Sequence, residues 1–266
     1  LKGRCFRSFL YLAGHRAKVG WERPFNIAVV GERGILKKVI VYPASHLYYQ
    51  SVLPAVKSAL LNGHIDDIYL MIDEDEYPGW LPDNVHTINV AKQLWFKREE
   101  CPNYRNDFSF ICLVRVALAK YFPDLDRILS LDADTIITGD LTELWDLDLT
   151  DYYLAGVPEV LLSEHLGRPY INAGMSMFNL AKIRQDHLDD HMIEDLNNTW
   201  YQWVEQDCIN TNCIDHVLPL SSTYNASQFT APVADPKILH FAFTPGWEQR
   251  EIVKHYRAME WPYAGS

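Results

Sequence analysis

The sequence predicts an α/β fold: a mostly parallel, twisted sheet with helices on both faces. Short β-branched runs alternate with longer amphipathic segments, the pattern of successive β-α units. With 266 residues and 48% apolar content, the chain can bury one sizeable core. No internal repeat, low-complexity tract or Gly-Ser linker divides it.

Lys38 to Tyr42 (KVIVY) opens the series as a strand, and the stretch from about Tyr49 to Leu61 reads as its helix. Ile68 to Ile72 (IYLMI) and Val85 to Val90 (VHTINV) are the next strands, each followed by loop residues. A helix is expected from Ser109 to Tyr121, then a strand from Arg127 to Leu131 that breaks off at an acidic tripeptide. The second half offers strands at Tyr153 to Val157 and Met175 to Phe178, a polar helix from about Gln185 to Trp200, and another near Glu205 to Thr211. Ile238 to Phe241 closes the strand list. Alternation of this kind implies cover on both sheet faces, with ligands bound beyond the carboxyl ends of the strands. The organisation expected is a basic N-terminal extension over residues 1–36 and a single domain over 37–266.

The formal net charge of −11 argues against nucleic acid as a partner, because phosphate contacts need clustered Lys and Arg. That charge is uneven. Residues 1–38 hold nine of the 24 Lys and Arg and two of the 35 acids, leaving 15 bases against 33 acids after them. Such an opening is either a solvated extension or a peripheral contact to an anionic membrane surface. Five cysteines, an odd number without a CxxC pair, fit a reducing compartment. No run of 18 apolar residues occurs, and Phe9 to Ala13 is too short for a signal-peptide core, so a cytoplasmic location is expected. Oligomeric state leaves no trace in the sequence.

In ILSLDADTII a buried-strand pattern delivers Asp132 and Asp134 to a strand end, two residues apart and on one side if extended. Two converging carboxylates repel unless a cation such as Mg2+ or Mn2+ joins them. A divalent ion there can bind a diphosphate and neutralise the charge that develops as it leaves. A solvated acidic turn would carry the same tripeptide. His240 ends a later strand and could add a nitrogen ligand, which favours Mn2+ over Mg2+; a lone histidine is also a common structural residue.

Five segments in order resemble the retaining glycosyltransferases of family 8, the group that includes glycogenin and bacterial lipooligosaccharide galactosyltransferases. They run from about Val39 to Trp247: the helix bearing Arg115, LSLDADTII, YINAGMSMFNL at Tyr170 to Leu180, EQDCIN at Glu205 to Asn210, and ILHF at Ile238 to Phe241. The resemblance implies a GT-A type fold, with a Rossmann-like nucleotide-sugar-binding half and an acceptor-side half, and a UDP-sugar donor. It makes Asp132, Asp134 and His240 the manganese ligands and the Ala133 backbone a contact to the donor ribose. Arg115 would touch the donor sugar and the acidic motif; without the resemblance it reads as a surface helix cation. Asn172, Ala173 and Gly174 match a turn where glycine admits close backbone approach and asparagine reaches sugar hydroxyls. Gln206 matches the amide opposite the leaving group, with Glu205 before it where the family usually has Asp; an exposed first helical turn is their plain alternative. Ala44, Ser45 and Tyr48 fall where the family holds uracil, Tyr48 matching its stacking tyrosine, and Gly246 lies in the segment facing the diphosphate.

Three departures weaken that match. Ser45 stands where an Asp usually reads uracil, and Leu47 replaces a polar residue. After His240 the family's Lys-Pro-Trp becomes Thr244, Pro245, Gly246 and Trp247, leaving Arg250 as the one candidate replacement for the lysine. The expected activity is transfer of a hexose, glucose or galactose, from a UDP-sugar to a glycan, lipid-linked glycan or protein acceptor. Two other readings compete: a sugar-nucleotide or glycan-binding module without chemistry, and a haloacid-dehalogenase-type phosphatase using Asp132 as nucleophile in D-x-D-x-T.

Overall fold

In the computed structural model, residues 37–97, 99–104 and 110–262 are described, so the expected basic extension lies outside the described residues. The fully buried strand β1 (Val39–Pro43) leads through a 3-10 turn at His46–Tyr48 into α1 (Tyr49–Asn62). β2 (Asp67–Ile72) and β3 (Val85–Asn89) follow. The next helix winds as 3-10 over Phe110–Ala117 and becomes α2 (Leu118–Tyr121) only in its last turn. Its tighter winding stacks residues three apart, so Cys112, Arg115 and Leu118 share a row.

β4 (Arg127–Leu131) ends at the acidic tripeptide, β5 (Thr135–Ile137) restarts directly after it, and α3 (Thr142–Trp145) follows. The second half adds β6 (Leu154–Pro158), α4 (Val160–Leu166), β7 (Ile171–Asn179), α5 (Leu180–Gln185), α6 (Leu188–Asn198) and α7 (Val204–Asn212). It closes with β8 (Val217–Pro219), β9 (Ile238–His240) and α8 (Glu251–Ala258).

Seven strands form one sheet in the order β3-β2-β1-β4-β7-β6-β8. All neighbours are parallel except those involving β7, which runs against both β4 and β6. Side-chain alternation splits the sheet between two cores. Val39, Val41, Ile128 and Phe178 face the 3-10 segment, α6 and α7, whereas Ile40, Tyr42, Leu129 and Met177 face α1. Each such fully buried aliphatic side chain contributes about 1.5–3 kcal/mol. The mostly parallel sheet with helices on both faces is therefore as expected.

Several local expectations are corrected. β9 does not join the main sheet; it pairs antiparallel with β5 as a separate ribbon, with α8 packed on Ile136 through Val253 and Tyr256. The polar helix expected from about 185 to 200 is α6, which starts at Leu188 once His187 has taken a left-handed backbone (φ 54°), and the short helix α5 before it was not expected. β7 begins at Ile171 rather than Met175, so Asn172, Ala173 and Gly174 are strand residues and not a turn. A register shift at Gly156/Val157 accommodates them against β6.

Candidate active site

Asp132 lies just past β4, where its N–H still donates to the Gly174 carbonyl of β7 at 2.9 Å. The chain then turns instead of continuing extended: Thr135 donates its N–H (3.2 Å) and its hydroxyl (2.8 Å) to the Asp132 carbonyl. Convergence of the two carboxylates thus comes from a tight turn, not from strand alternation as the sequence suggested. β5 leaves that turn, and its partner β9 sets His240 opposite Thr135. His240 Nε2 stands 3.5 Å from Asp132 Oδ2 and 3.3 Å from Asp134 Oδ1, and one ligand atom from each residue fits within a 4.8 Å span.

That spacing suits a divalent cation bound by two oxygens and an imidazole nitrogen. Gly174 completes the cradle. A Cβ there would sit 2.1 Å from His240 Cε1 and 2.8 Å from Asp132 Oδ2, so only a bare backbone leaves both side chains in place. Burial opposes charge on His240, but the carboxylates of Asp134 and Asp132 outweigh it and raise the imidazole pKa. Burial likewise works against the Asp132 anion, and Arg115 and His240 overcome it to hold Asp132 below the ordinary carboxylate range.

Arg115 lies beneath these ligands with its side chain only 2% exposed, which excludes the surface-cation alternative. Its guanidinium donates to Asp132 Oδ1, to Glu205 Oε1 at 2.8 Å and to Ser130 Oγ at 3.1 Å. One cation therefore serves two acids. Burial first, and then repulsion from Asp132, push the Glu205 carboxyl up to about 7 against the pull of Arg115. Glu205 is buried, not part of an exposed helical turn.

α7 is tied to β7 by nearly every polar residue of EQDCIN. Gln206 Oε1 accepts the Ala173 N–H at 2.9 Å, while its Nε2 donates to Glu159 (3.1 Å) and to the Tyr170 hydroxyl (3.3 Å). Asp207 accepts from the Tyr170 hydroxyl and from the Trp203 N–H. Asn210 brackets Ile171, accepting its N–H at 2.7 Å and donating to its carbonyl at 2.9 Å. Val204 opens the helix at φ 46°, a strained setting for a β-branched residue, and Phe243 past β9 has φ 51°.

Comparison with known proteins places this geometry. The family described as Glycosyl transferase family 8 matches residues 40–242. The chain belongs to glycosyltransferase family 8. Glycosyltransferase GlyA of Streptococcus pneumoniae is 26% identical over 86% of this chain, which spans only 36% of GlyA. The crystal structure of GlyE from Streptococcus pneumoniae TIGR4 matches 85% of this chain and 61% of its own with a TM-score of 0.64 at 22% identity. A structure of the galactosyltransferase LgtC in complex with donor and acceptor sugar analogs matches 82% of this chain and 95% of its own, with a TM-score of 0.61 at 20% identity. The fold is GT-A.

In this family 8 chain, the other expected donor residues gather at the same sheet edge. β1 runs parallel beside β4, pairing Val41 with Ser130, so Ala44 and Ala133 emerge together. Ala44 and Ser45 are buried, Tyr48 is 49% exposed and Leu47 is exposed. Asp73, just past β2, fixes this loop by accepting the His46 N–H at 2.7 Å and contacting His46 Nδ1 and the Tyr49 hydroxyl. Gly246 takes a left-handed φ of 67° in the turn after β9, and Arg250 is the exposed residue that caps α8.

Two residues escaped the sequence reading. Glu159 directly follows β6, a strand-end position that the search rule should have raised, and it binds both Asn172 and Gln206. Asn225 contacts His240 from an irregular segment and carried no signal of its own. Past β9 an aromatic cluster also forms: the Phe243 ring meets Trp203 at 5.6 Å and Phe229 at 6.1 Å, both edge to face.

Proposed function

We propose that this chain is a metal-dependent, retaining hexosyltransferase that moves glucose or galactose from a UDP-sugar to a glycan hydroxyl. The observation that carries this reading is the convergence of Asp132, Asp134 and His240 over bare Gly174, beside an amide held in place on α7. Mn2+, with Mg2+ as the alternative, would be held by those three side chains and would supply charge neutralisation for the departing diphosphate.

Each neighbouring side chain has work to do in such a reaction. Arg115 holds Asp132 and Glu205 in place from below and brings positive charge to the donor sugar. Asn172, Ala173 and Gly174 line the donor along β7, and the Ala133 backbone lies where the ribose would pass. Tyr48, with Ala44 and Ser45 behind it, offers the base a partly exposed ring. Gln206 keeps one carbonyl lone pair unused by Ala173, and an amide dipole can stabilise positive charge building on the sugar ring without acting as a base. Inversion would need a carboxylate base on the acceptor hydroxyl, and Glu205 is committed to Arg115.

The aromatic cluster of Trp203, Phe243 and Phe229 favours a sugar acceptor, since pyranose rings lay apolar C–H faces on such surfaces; lipid-linked glycans and glycosylated proteins share that chemistry. Among the described residues no helix is long and apolar enough to cross a membrane, and Cys101, Cys112, Cys208 and Cys213 are free, which supports a cytoplasmic location. Family membership sets the phosphatase reading aside, and the convergence of Asp132, Asp134 and His240 beside the held Gln206 amide favours chemistry over a module that only binds.

Turnover of a mass-tagged panel of UDP-sugars with Mn2+, with and without chelator, tests the proposal. Release or transfer of one hexose that Asp134→Asn abolishes is expected. Near-normal turnover in that variant, or none with any donor, would overturn it.

A further inference from the structure

A run of buried polar side chains leads from His240 to Gln206, and backbone donors fix the sense of every link in it. Gly174 donates its N–H to Asn172 Oδ1 at 3.1 Å, which obliges the Asn172 NH2 to face Glu159 Oε1 at 2.8 Å. The same Asn172 oxygen accepts Asn225 Nδ2 at 3.0 Å. Asn225 must then turn its carbonyl oxygen toward His240 Nδ1, 2.8 Å away. A carbonyl only accepts. Nδ1 therefore carries a proton in either charge state, and Nε2, which faces Asp132 and Asp134, is the nitrogen whose lone pair becomes available to a cation once its own proton leaves. From the other end, the Ala173 N–H fixes Gln206 Oε1, so Gln206 Nε2 points to the same Glu159 oxygen at 3.1 Å. Glu159, Asn172, Asn225 and His240 are all buried, so no link is exchanged freely for solvent.

We propose that Glu159, Asn172 and Asn225 are positioning residues that lock His240 as the Nδ1–H tautomer and hold the Gln206 amide, joining cation affinity to back-face orientation through one carboxylate. The inference rests on the metal reading of Asp132, Asp134 and His240 given above. None of the three reaches the cation itself. Outer partners of this kind orient an imidazole ligand and raise its basicity, and their loss typically lowers metal affinity 10–100-fold. Asn225 is the link nearest the imidazole, and Glu159 is the anchor where both amides end.

The test is a Mn2+ titration of the full chain without donor, following free Mn2+ by electron paramagnetic resonance, so that turnover does not enter the readout. Asn225→Leu removes the acceptor for Nδ1–H and is expected to weaken binding by about 10-fold or more. Glu159→Leu leaves the buried Asn172 NH2 without its acceptor and the Gln206 NH2 with the Tyr170 hydroxyl alone, and weakens binding in the same direction by a smaller factor. Asn225→Asp and Glu159→Gln each keep an acceptor oxygen and retain most of the affinity, which separates positioning from a general loss of fold; melting curves on all four check the latter. Affinity equal to the parent in both Leu variants would overturn the relay while leaving the metal site standing. A parent protein with no Mn2+ site sensitive to Asp132→Asn would overturn the metal reading and the relay together.

Discussion

Replacing Glu205 with Gln probes the most crowded charge in the site. The Glu205 carboxyl is pushed from an ordinary 4.5 to about 7, chiefly by burial and then by Asp132. At 1.36 kcal/mol for each pKa unit, that rise corresponds to about 3 kcal/mol of differential stability. The folded state holds this proton more tightly than the unfolded chain. Its stabilising effect is therefore fully present below about pH 4.5 and is lost as pH climbs through about 7. Gln cannot lose a proton, so the variant escapes that loss. Arg115 is not stranded by the change, because Asp132 and Ser130 still accept from it. Urea denaturation of parent and variant in chelator, at intervals from pH 4.5 to 8.5, reads the difference directly. The variant should gain on the parent by up to about 3 kcal/mol across that window. A difference that stays flat, or that moves the other way, would refute the account of Glu205 as a net-strained anion. Saturating the parent with Mn2+ should flatten its own curve, since a cation at Asp132 removes part of the repulsion.

The remaining predictions concern the cradle, the amide and the aromatic cluster. Gly174→Ala should abolish detectable Mn2+ binding by calorimetry and cost about 1–3 kcal/mol in denaturation, because the new Cβ overlaps two side chains held by other partners. Gln206→Ala should lower kcat far more than donor affinity in steady-state kinetics, as its interaction strengthens only when charge develops. Proton NMR of the first-formed product from an α-linked donor should show a small anomeric coupling; a large one means inversion. Phe243→Ala should raise the acceptor KM while leaving donor hydrolysis in water unchanged, and equal effects on both would remove the ring from the acceptor side.

The legible parts of the fold were those with a local cause. β-branched runs such as Val39 to Val41 announced the central strands, and the strand-end rule found Asp132 and Asp134. His240 was legible through the ordered resemblance, not through its own neighbours. What escaped depends on contacts between distant residues. β5 is three residues long and pairs with β9 about a hundred positions later, a partnership that no window of sequence contains. The late start of α6, at the left-handed His187, has neither Gly nor Pro to mark it. Asn172 and Gly174 disfavour a strand by propensity, yet the β4 and β6 ladders impose one. Arg115 looked like a surface charge because the two acids that make its burial tolerable come from a turn and a remote helix.

The β5-β9 ribbon gives the site a dependence on alignment. Its three pairs set Thr135 against His240, Ile136 against Leu239 and Ile137 against Ile238. A slip of one residue would offer Leu239 or Phe241 in place of the imidazole and turn every side chain of the strand to its opposite face. So short a ladder has few hydrogen bonds with which to choose among such states. A cation that binds only the aligned pair adds RT ln(1 + [L]/Kd) in its favour. The ion would then act as a proofreader of chain pairing, rewarding the one alignment in which Asp134 and His240 meet and closing α8 over Ile136 behind it.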